Sequence, residues 1–288
     1  MEKVRNIIDA ILFACHKVEN EIGKGENSRN RANAMGEGLE LYLKDIFSGY
    51  ESGNRKECHD SEFSYGGNKN NPPDIMIKNG GAAIEVKKIE SFTSDIQLNS
   101  SHPKDKLYSS STLITNACRN ADGGKWTERD MIYAIGVVNN SKVRSVLMFY
   151  GEDYCANSKV YERAQEAVKD AVAGISTLDI DTSTKELGRV VKVDVLQRAY
   201  MRVRGMWIMK NPFNVFLSKD EIDKAKQVEF SIIAILNERK INELGNFAEL
   251  ESFAENSNGK MKIDDIEILD PNNLHGQSWK AKRITYGL

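Results

Sequence analysis

The pair Asn79-Gly80 constrains this chain more than any other feature, because it is a preferred sequence for a two-residue type I′ β-turn. Residues 75–77 on one side and 82–84 on the other are apolar, and both can extend as strands. The sequence therefore predicts a β-hairpin with Asn79 and Gly80 as its loop. The length of the loop then fixes which residues face each other across the two strands.

This register brings two acidic residues together. Met76 faces Ala83, and two residues further out Asp74 faces Glu85, with Cβ atoms about 5 Å apart on one face of the sheet. Lys87 joins them, because side chains two residues apart in a strand point the same way. Two carboxylates in this arrangement destabilise a sheet unless a cation compensates them. Mg²⁺ suits the pair, since it prefers oxygen ligands and is usually bound by one or two carboxylates.

A metal ion between Asp74 and Glu85 gives the layout of a metal-dependent phosphodiesterase. Such an ion lowers the pKa of a bound water, orients it for attack and neutralises charge that develops on the phosphate. Lys87 would act beside it as an electrostatic clamp or as a group that positions water.

A second register stays open at this point. If Gly80-Gly81 formed the loop, Asp74 would face Lys87 in an ordinary cross-strand ion pair. The acidic pair would then be structural, and the hairpin would hold no metal ion.

Composition restricts the classes of protein to which this chain can belong. Its 288 residues, 40% of them hydrophobic, are enough for a full core. The formal net charge of −2 means that any DNA-binding surface must be a local groove. The sequence shows no signal peptide and no membrane-spanning run, which predicts a soluble, cytoplasmic protein without a membrane partner. Its cysteines and histidines lack zinc-ligand spacing: Cys15, Cys58, Cys118, Cys155, His16, His59, His102 and His275.

Hydrophobic periodicity predicts four helices. Ser218 followed by Glu221 is a capping box, which marks the start of the last helix. The predicted ranges are about 2–22, 34–47, 158–173 and 218–239.

Strand patterns occur along the whole chain. Residues 131–138 and 143–150 are nearly continuous in apolar character, so both strands are expected to be central in the sheet and covered on both faces. Together with the helices, and without a linker that divides them, these elements predict one α/β domain over residues 1–288, in which a central mixed β-sheet is flanked by helices on both faces. Further strands are predicted at 62–65, 188–196, 200–209 and 262–269.

Four segments give the chain a specific resemblance. PPDIMIKNGGAAIEVKK at 72–88 resembles the motif of the PD-(D/E)XK nuclease superfamily, with Asp74, Glu85 and Lys87 in the catalytic positions and the two acids as ligands of Mg²⁺. The other three resemble type II restriction endonucleases of the NgoPII or NgoBV kind: NRANAMGEGLELYLKDIF at 30–47, IQLNSSHPKDKL at 96–107 and MRVRGMWIMKNP at 201–212.

The resemblance implies a homodimeric endonuclease with a restriction-endonuclease-like core. Such an enzyme cleaves both strands of double-stranded DNA at a short, GC-rich palindrome with Mg²⁺ and leaves 5′-phosphate and 3′-hydroxyl ends. A cognate DNA methyltransferase is expected in the same system, without a stable complex. The implied parts are a catalytic core at about 30–175, DNA-recognition elements at about 96–130 and 188–216, and C-terminal helices and a strand at 217–288.

The resemblance also suggests a third acidic residue near the metal. Many such nucleases place one on a helix like that of residues 34–47, where Glu37 and Glu40 lie beside the buried stripe. We expect Glu40, which directly follows Leu39. A solvent-exposed helix glutamate is the alternative.

Two arginines are the best candidates for reading bases. Arg202 and Arg204 share one face of an extended strand, and parallel guanidinium groups fit adjacent guanines. The alternative is that both pair with acidic residues elsewhere in the protein.

Other polar residues are candidates for contacts to phosphates. Asn99, Ser100, Ser101 and Lys104 follow the catalytic strand and suit the scissile phosphate or nearby bases, although an ordinary polar loop would look the same. Arg29 and Arg31 precede the second helix, where they either track the DNA backbone or are simply solvated.

Two further functions fit the same residues. A structure- or lesion-directed repair nuclease would share the chemistry and would cut branched or mismatched DNA without regard to sequence. A DNA-binding module that no longer cleaves would keep the acids only as structural residues.

Overall fold

The computed structural model describes residues 4–17, 22, 31–68, 71–184, 186–273 and 275–288, and for residues 31–34 the backbone alone. Helices in the described residues begin and end as follows: α1 (Ile7–His16), α2 (Arg31–Ser48), α3 (Arg55–Glu62), α4 (Asn116–Arg119), α5 (Ser158–Ala173), α6 (Phe213–Phe216), α7 (Lys219–Gln227), α8 (Glu238–Leu244) and α9 (Phe247–Asn256).

The strands are distributed over the same ranges of the chain. Their bounds are β1 (Phe63–Tyr65), β2 (Ile75–Ile77), β3 (Ala83–Ile89), β4 (Ile96–Asn99), β5 (Lys106–Tyr108), β6 (Glu128–Asn139), β7 (Lys142–Tyr150), β8 (Asp179–Asp181), β9 (Gly188–Val191), β10 (Met201–Val203), β11 (Trp207–Met209), β12 (Ser231–Asn237), β13 (Met261–Leu269) and β14 (Ser278–Tyr286).

A nine-stranded mixed sheet organises these elements. Its strand order is β1-β2-β3-β6-β7-β12-β14-β13, with β5 paired to β6 beside this path. The pairs β3–β6 and β7–β12 are parallel, and the other neighbours are antiparallel. The mixed α/β class is therefore confirmed, and the two strands predicted to be central, β6 and β7, lie in the middle of the sheet.

Two hydrophobic layers cover the faces of this sheet. Side chains alternate along β6, so Ile132 and Ala134 pack into one layer whereas Tyr133 and Ile135 pack into the other. The first layer includes α1, α2 and α9, and the second includes α4, α6 and α7. Helices thus flank the sheet on both faces, as the sequence predicts.

Two smaller sheets carry the segments that were expected to contact DNA. One has the order β10-β9-β8, and the other pairs β11 with β4. The strand predicted at 200–209 is divided between them, because the backbone of residues 204–206 leaves the extended ladder. The prediction of one continuous strand is wrong for this reason.

The helix predicted at 218–239 is also wrong beyond its first half. Its capping box is present, but α7 ends at Gln227 and β12 begins at Ser231. All seven residues of β12 are buried, and a short apolar run that is covered on both faces has no periodicity that separates strand from helix. Its three isoleucines favour the strand.

Several helices and strands were not predicted from the sequence. Helix α3 lies in the segment 48–72, where only a short strand was expected, and β14 was not predicted. Helix α1 covers 7–16 of the predicted 2–22, of which 2, 3 and 18–21 lie outside the described residues. Helix α5 matches its predicted range, and no helix in the described residues is long and apolar enough to cross a membrane.

One close contact fixes α2 on the sheet and can be tested. A Cβ atom added to Gly136 of β6 would lie 2.5 Å from both Cδ atoms of the buried Leu39. We expect Gly136→Ala to lower the free energy of unfolding by roughly 1–3 kcal/mol through overpacking. In urea denaturation, adding Leu39→Ala should relieve the clash, so the double variant should lose less stability than the two single variants together.

Gly36 provides the matched control. It lies in α2 with no described atom within 4 Å of an added Cβ. Gly36→Ala should raise the free energy of unfolding by about 0.5–1 kcal/mol, since alanine restricts the unfolded chain and favours the helix. Strictly additive losses for Gly136→Ala and Leu39→Ala would contradict the packing described here.

Candidate active site

The predicted hairpin turn is present. Asn79 and Gly80 both have positive φ, 54° and 88°, which is the conformation that a type I′ turn requires at both central residues. The N–H of Gly81 donates to the carbonyl of Lys78 at 3.0 Å and closes the loop. The two-residue loop is therefore Asn79-Gly80.

The turn sets the register of β2 against β3. Met76 pairs with Ala83 and Ile75 with Ile84. Asp74 directly precedes β2, where its N–H donates to the carbonyl of Ile84 at 3.0 Å and its carboxylate lies within electrostatic reach of Glu85. The alternative register, in which Asp74 faces Lys87, is wrong.

All three side chains of the triad meet on one face of the sheet. Nζ of Lys87 donates to Oε1 of Glu85 at 2.6 Å, and the N–H of Val86 donates to Oδ2 of Asp74 at 2.7 Å. Oε2 of Glu85 is buried and has no hydrogen-bond partner among the described residues. A buried carboxylate oxygen without a partner is costly, so this oxygen is a ready ligand for a cation.

The electrostatics of the triad reflect its burial. Burial, and then the charge of Glu85, raises the pKa of Asp74 to about 8, although Lys87 opposes the shift. For Lys87 burial acts to lower the pKa, but the charges of Glu85 and Asp74 outweigh burial and leave the pKa raised. The site thus favours the charged form of Lys87. It disfavours the state in which Asp74 and Glu85 are both ionised without a further cation.

These groups fit a magnesium ion. The unpartnered Oε2 of Glu85 and the opposed Asp74 offer oxygen ligands, and Mg²⁺ usually takes one or two carboxylates and completes its shell with water and phosphate oxygens. Within the described ranges no group of three or more His, Cys, Asp or Glu side chains could hold a metal.

Glu40 approaches the triad from α2. Its carboxylate accepts a 2.6 Å hydrogen bond from Lys44, which also donates to the carbonyl of Gly66. The charge of Glu40 contributes to the raised pKa of both Asp74 and Lys87, so it lies within electrostatic reach of them. Its proposed place near the metal stays a prediction.

A clamp that the sequence did not reveal holds the tip of the hairpin. Nη2 of the buried Arg129 donates to Asp122 at 2.6 Å, and its Nη1 donates to the carbonyl of Gly81 at 3.2 Å. The same carboxylate of Asp122 accepts the N–H of Gly80 at 3.3 Å. The signal in the sequence is weak, because Arg129 stands between Glu128 and Asp130 at the polar start of β6.

Lys104 occupies a different place from its predicted neighbours. Tyr133 lies beside Glu85 across the parallel pair β3–β6, and its hydroxyl accepts the N–H of Lys104 at 2.9 Å. Lys104 is buried, and burial lowers its pKa to about 8, with the charge of Glu85 as the largest opposing influence. It is therefore not part of an exposed polar loop, and its predicted contact with DNA stays a prediction.

The two segments expected to read DNA are neighbours. Asn99 pairs with Trp207 in the sheet of β4 and β11, and Nη2 of Arg204 donates to Oγ of Ser100 at 3.3 Å. Asn99 and Ser100 are exposed, whereas Ser101 is half-buried. One surface thus carries most of the predicted contacts.

Arg202 and Arg204 do share a face, and both bind the same acid. Nε of Arg202 donates to the two carboxylate oxygens of Glu186 at 2.9 and 3.0 Å, and Nε of Arg204 lies 3.3 Å from one of them. In the free protein, Arg202 and Arg204 therefore pair with an acidic residue, which is the alternative that the sequence left open. Contact with bases stays a prediction.

The last two candidates cannot be placed. Arg29 lies outside the described residues, and Arg31 begins α2 but its side chain is outside the described part of the structure. Lys88, whose role the sequence left open, forms an ion pair with Glu90 at 2.8 Å.

The family follows from comparison with known proteins. The chain matches the model of the NgoPII restriction endonucleases over residues 5–269, a range that includes the whole triad. The chain belongs to the NgoPII restriction endonuclease family. The type II restriction enzyme NgoPII of Neisseria gonorrhoeae is 42% identical over 289 residues, which cover 98% of this chain and 100% of that enzyme.

Membership of the NgoPII family makes this chain a type II restriction enzyme, which is a site-specific deoxyribonuclease. The resemblance seen in the sequence is confirmed. No solved structure matches the chain. The restriction-endonuclease-like core therefore stays a prediction, whereas the mixed α/β architecture is observed.

The raised pKa of Asp74 predicts how stability depends on pH without metal. The unfolded carboxyl titrates near pH ~4, whereas the folded one titrates at about 8. Between these values the folded state holds a proton that the unfolded state has lost, so the stability of the wild type falls as pH rises through this window. Asp74→Asn should show a smaller fall in urea denaturation at pH 5 and pH 8 with EDTA.

The exposed Asp220 of α7 serves as the control. Asp220→Asn removes the same charge away from the triad and should keep the pH dependence of the wild type. If Asp74→Asn also kept the wild-type pH dependence, the carboxyl group of Asp74 would not be the cause of the fall in stability.

Proposed function

We propose that this enzyme cuts both strands of a short, GC-rich DNA palindrome by Mg²⁺-dependent hydrolysis, leaving 5′-phosphate and 3′-hydroxyl ends. The observation that carries the proposal is the neighbouring pair Asp74 and Glu85, with an unpartnered buried oxygen on Glu85 and Lys87 beside it. The name of the family supports a DNA substrate.

The side chains have separate roles in this reaction. Asp74 and Glu85 would hold Mg²⁺, which when bound activates water and neutralises charge on the phosphate. The raised pKa keeps Lys87 charged, so its ammonium group stabilises negative charge or positions water. Glu40 adds negative charge at the α2 side of the pair.

DNA reading would require Arg202 and Arg204 to leave Glu186. An ion pair at the protein surface contributes little to stability, and the N7 and O6 atoms of guanine accept two hydrogen bonds from one arginine. Adjacent guanines can therefore replace the carboxylate. Asn99 and Ser100, on the same surface, then contact phosphates or neighbouring bases.

The assembly follows from the substrate. A palindrome is two-fold symmetric, and a homodimer matches that symmetry. We include in the proposal that residues 1–288 form one nuclease domain and that a DNA methyltransferase protects the same site without a stable complex.

Glu186→Gln tests whether Glu186 competes with DNA for Arg202 and Arg204. The variant frees both guanidinium groups, so we expect tighter binding to DNA that lacks the site and a lower ratio of specific to non-specific affinity. Fluorescence anisotropy at one fixed salt concentration measures both affinities. The control is Glu255→Gln, an equal change of charge at an exposed position of α9. An equal effect of both variants would show that only net charge matters.

The main experiment is a plasmid digest with matched lysine variants. Lys87→Ala should bind DNA but cut it at least roughly 100-fold more slowly, because it removes a group that stabilises charge in the transition state. Lys88→Ala removes the next residue of β3, which points to the opposite face and pairs with Glu90, and it should cut like the wild type.

The pattern of products separates the possible outcomes. Wild-type protein with Mg²⁺ should give discrete fragments, and sequencing their ends gives the site and the cut position. Fragments that persist in EDTA would contradict the metal mechanism. Preferential cutting of branched or mismatched DNA without sequence preference would favour a structure-directed nuclease.

A further inference from the structure

The loop between β9 and β10 exposes an unusual apolar tip. Val195 is 98% exposed and Leu196 is 66% exposed, and both lie at the far end of a β-hairpin. Aliphatic side chains this exposed and adjacent in sequence are a candidate contact surface. Neither belongs to the triad or to the predicted arginine pair.

The backbone holds this tip in one shape. The carboxylate of Asp194 accepts the N–H groups of Leu196, Arg198 and Ala199 at 3.1, 3.2 and 2.9 Å. The carbonyl of Asp194 accepts the N–H of Gln197, which has a φ of 53°. These four hydrogen bonds present the two side chains outward, so a binding partner meets a preorganised tip.

Charge identifies the class of partner. The chain as a whole has a net charge of −2, but its residues 186–204 carry five basic side chains and only two acidic ones. One of the two acids, Asp194, turns its carboxylate inward to the backbone. A second copy of the same segment would be repelled, whereas a polyanion would be attracted.

The position of the loop points to DNA. Strand β10, which follows the tip, contains Arg202, and Arg204 beyond it contacts Ser100 after β4. The apolar tip thus extends from the surface that carries the proposed base contacts. In a DNA groove the apolar partners for such side chains are the faces of the stacked bases and the thymine methyl groups.

We propose that Val195 and Leu196 form a wedge that enters the DNA between adjacent base pairs and opens the stack at or beside the recognition site. The proposal rests on the proposed DNA-cutting function. Insertion costs unstacking energy, which is offset by the additional contacts of the bent duplex. Steps that unstack easily are favoured, so the wedge adds sequence preference at positions without hydrogen-bonded contacts.

The test uses the variant Val195→Ser/Leu196→Ser with the mapped recognition duplex. We expect kcat/KM to fall by roughly tenfold or more, the scale of opening one base step. A duplex with an abasic nucleotide at the insertion step is already unstacked there, so it should recover most of the loss. Leu196→Met keeps an apolar tip and should lose much less kcat/KM than the double serine variant.

Leu269→Ser is the matched control. Leu269 is 71% exposed at the end of β13, so its substitution removes a similar exposed side chain outside the tip. Circular dichroism should show that both serine variants are folded, and the control should cut like the wild type.

A second readout reports insertion directly. In the Lys87→Ala background, which binds without cutting, 2-aminopurine placed at successive positions should brighten at one step when the tip is intact. Brightening should disappear with Val195→Ser/Leu196→Ser, because an inserted side chain is what unstacks the base.

Three results would overturn the wedge. Wild-type cutting by the double serine variant would do so, as would unchanged 2-aminopurine fluorescence at every position. A fall in the sedimenting mass of that variant would assign the tip to contacts between copies. If wild-type protein itself cut no DNA, the proposed function would fail first and the wedge with it, a result distinct from normal cutting by the variant.

Discussion

The repulsion between two buried carboxylates is the constraint on which the rest of the structure depends. Asp74 and Glu85 lie close together, and burial together with this repulsion raises the pKa of Asp74 to about 8. The positive-φ turn fixes the register, and the clamp of Arg129 and Asp122 holds the tip of the hairpin. The pair fits the Mg²⁺ ion that we propose at this site, since Lys87 supplies only part of the compensating charge.

A second group of charges, Glu186 with Arg202 and Arg204, lies apart from the triad and is the proposed site of DNA binding. Residues 186–204 carry five basic and two acidic side chains, whereas β8 adds Asp179 and Asp181, of which Asp179 pairs with Lys192 at 3.2 Å. Glu186 neutralises Arg202 and Arg204 in the free enzyme, and exposed ion pairs of this kind are weak enough for DNA to replace them. In the proposed function, Arg202 and Arg204 therefore stay paired with Glu186 until DNA replaces it.

Local rules predicted the hairpin and its register, because a turn with positive φ at both central residues needs particular residues. The family was predicted from the resemblance of four segments to known nucleases. Local rules failed where tertiary context decides. Strand β12 looks helical in sequence because burial on both faces removes its periodicity. Lys104 looks like an exposed polar residue, but the hydroxyl of Tyr133 fixes its backbone inside the protein. Arg202 pairs with Glu186, 16 residues earlier, and Arg129 bonds to Gly81, 48 residues earlier, contacts that no pattern in the sequence reveals.

The most direct test is an anomalous-scattering map from crystals soaked in Mn²⁺, a substitute that accepts the same oxygen ligands. The account predicts one strong peak between Asp74 and Glu85, about 2.1 Å from an oxygen of each, as for Mg²⁺. A map without a peak there, with Asp74 turned to Lys87 in a simple ion pair, would contradict it.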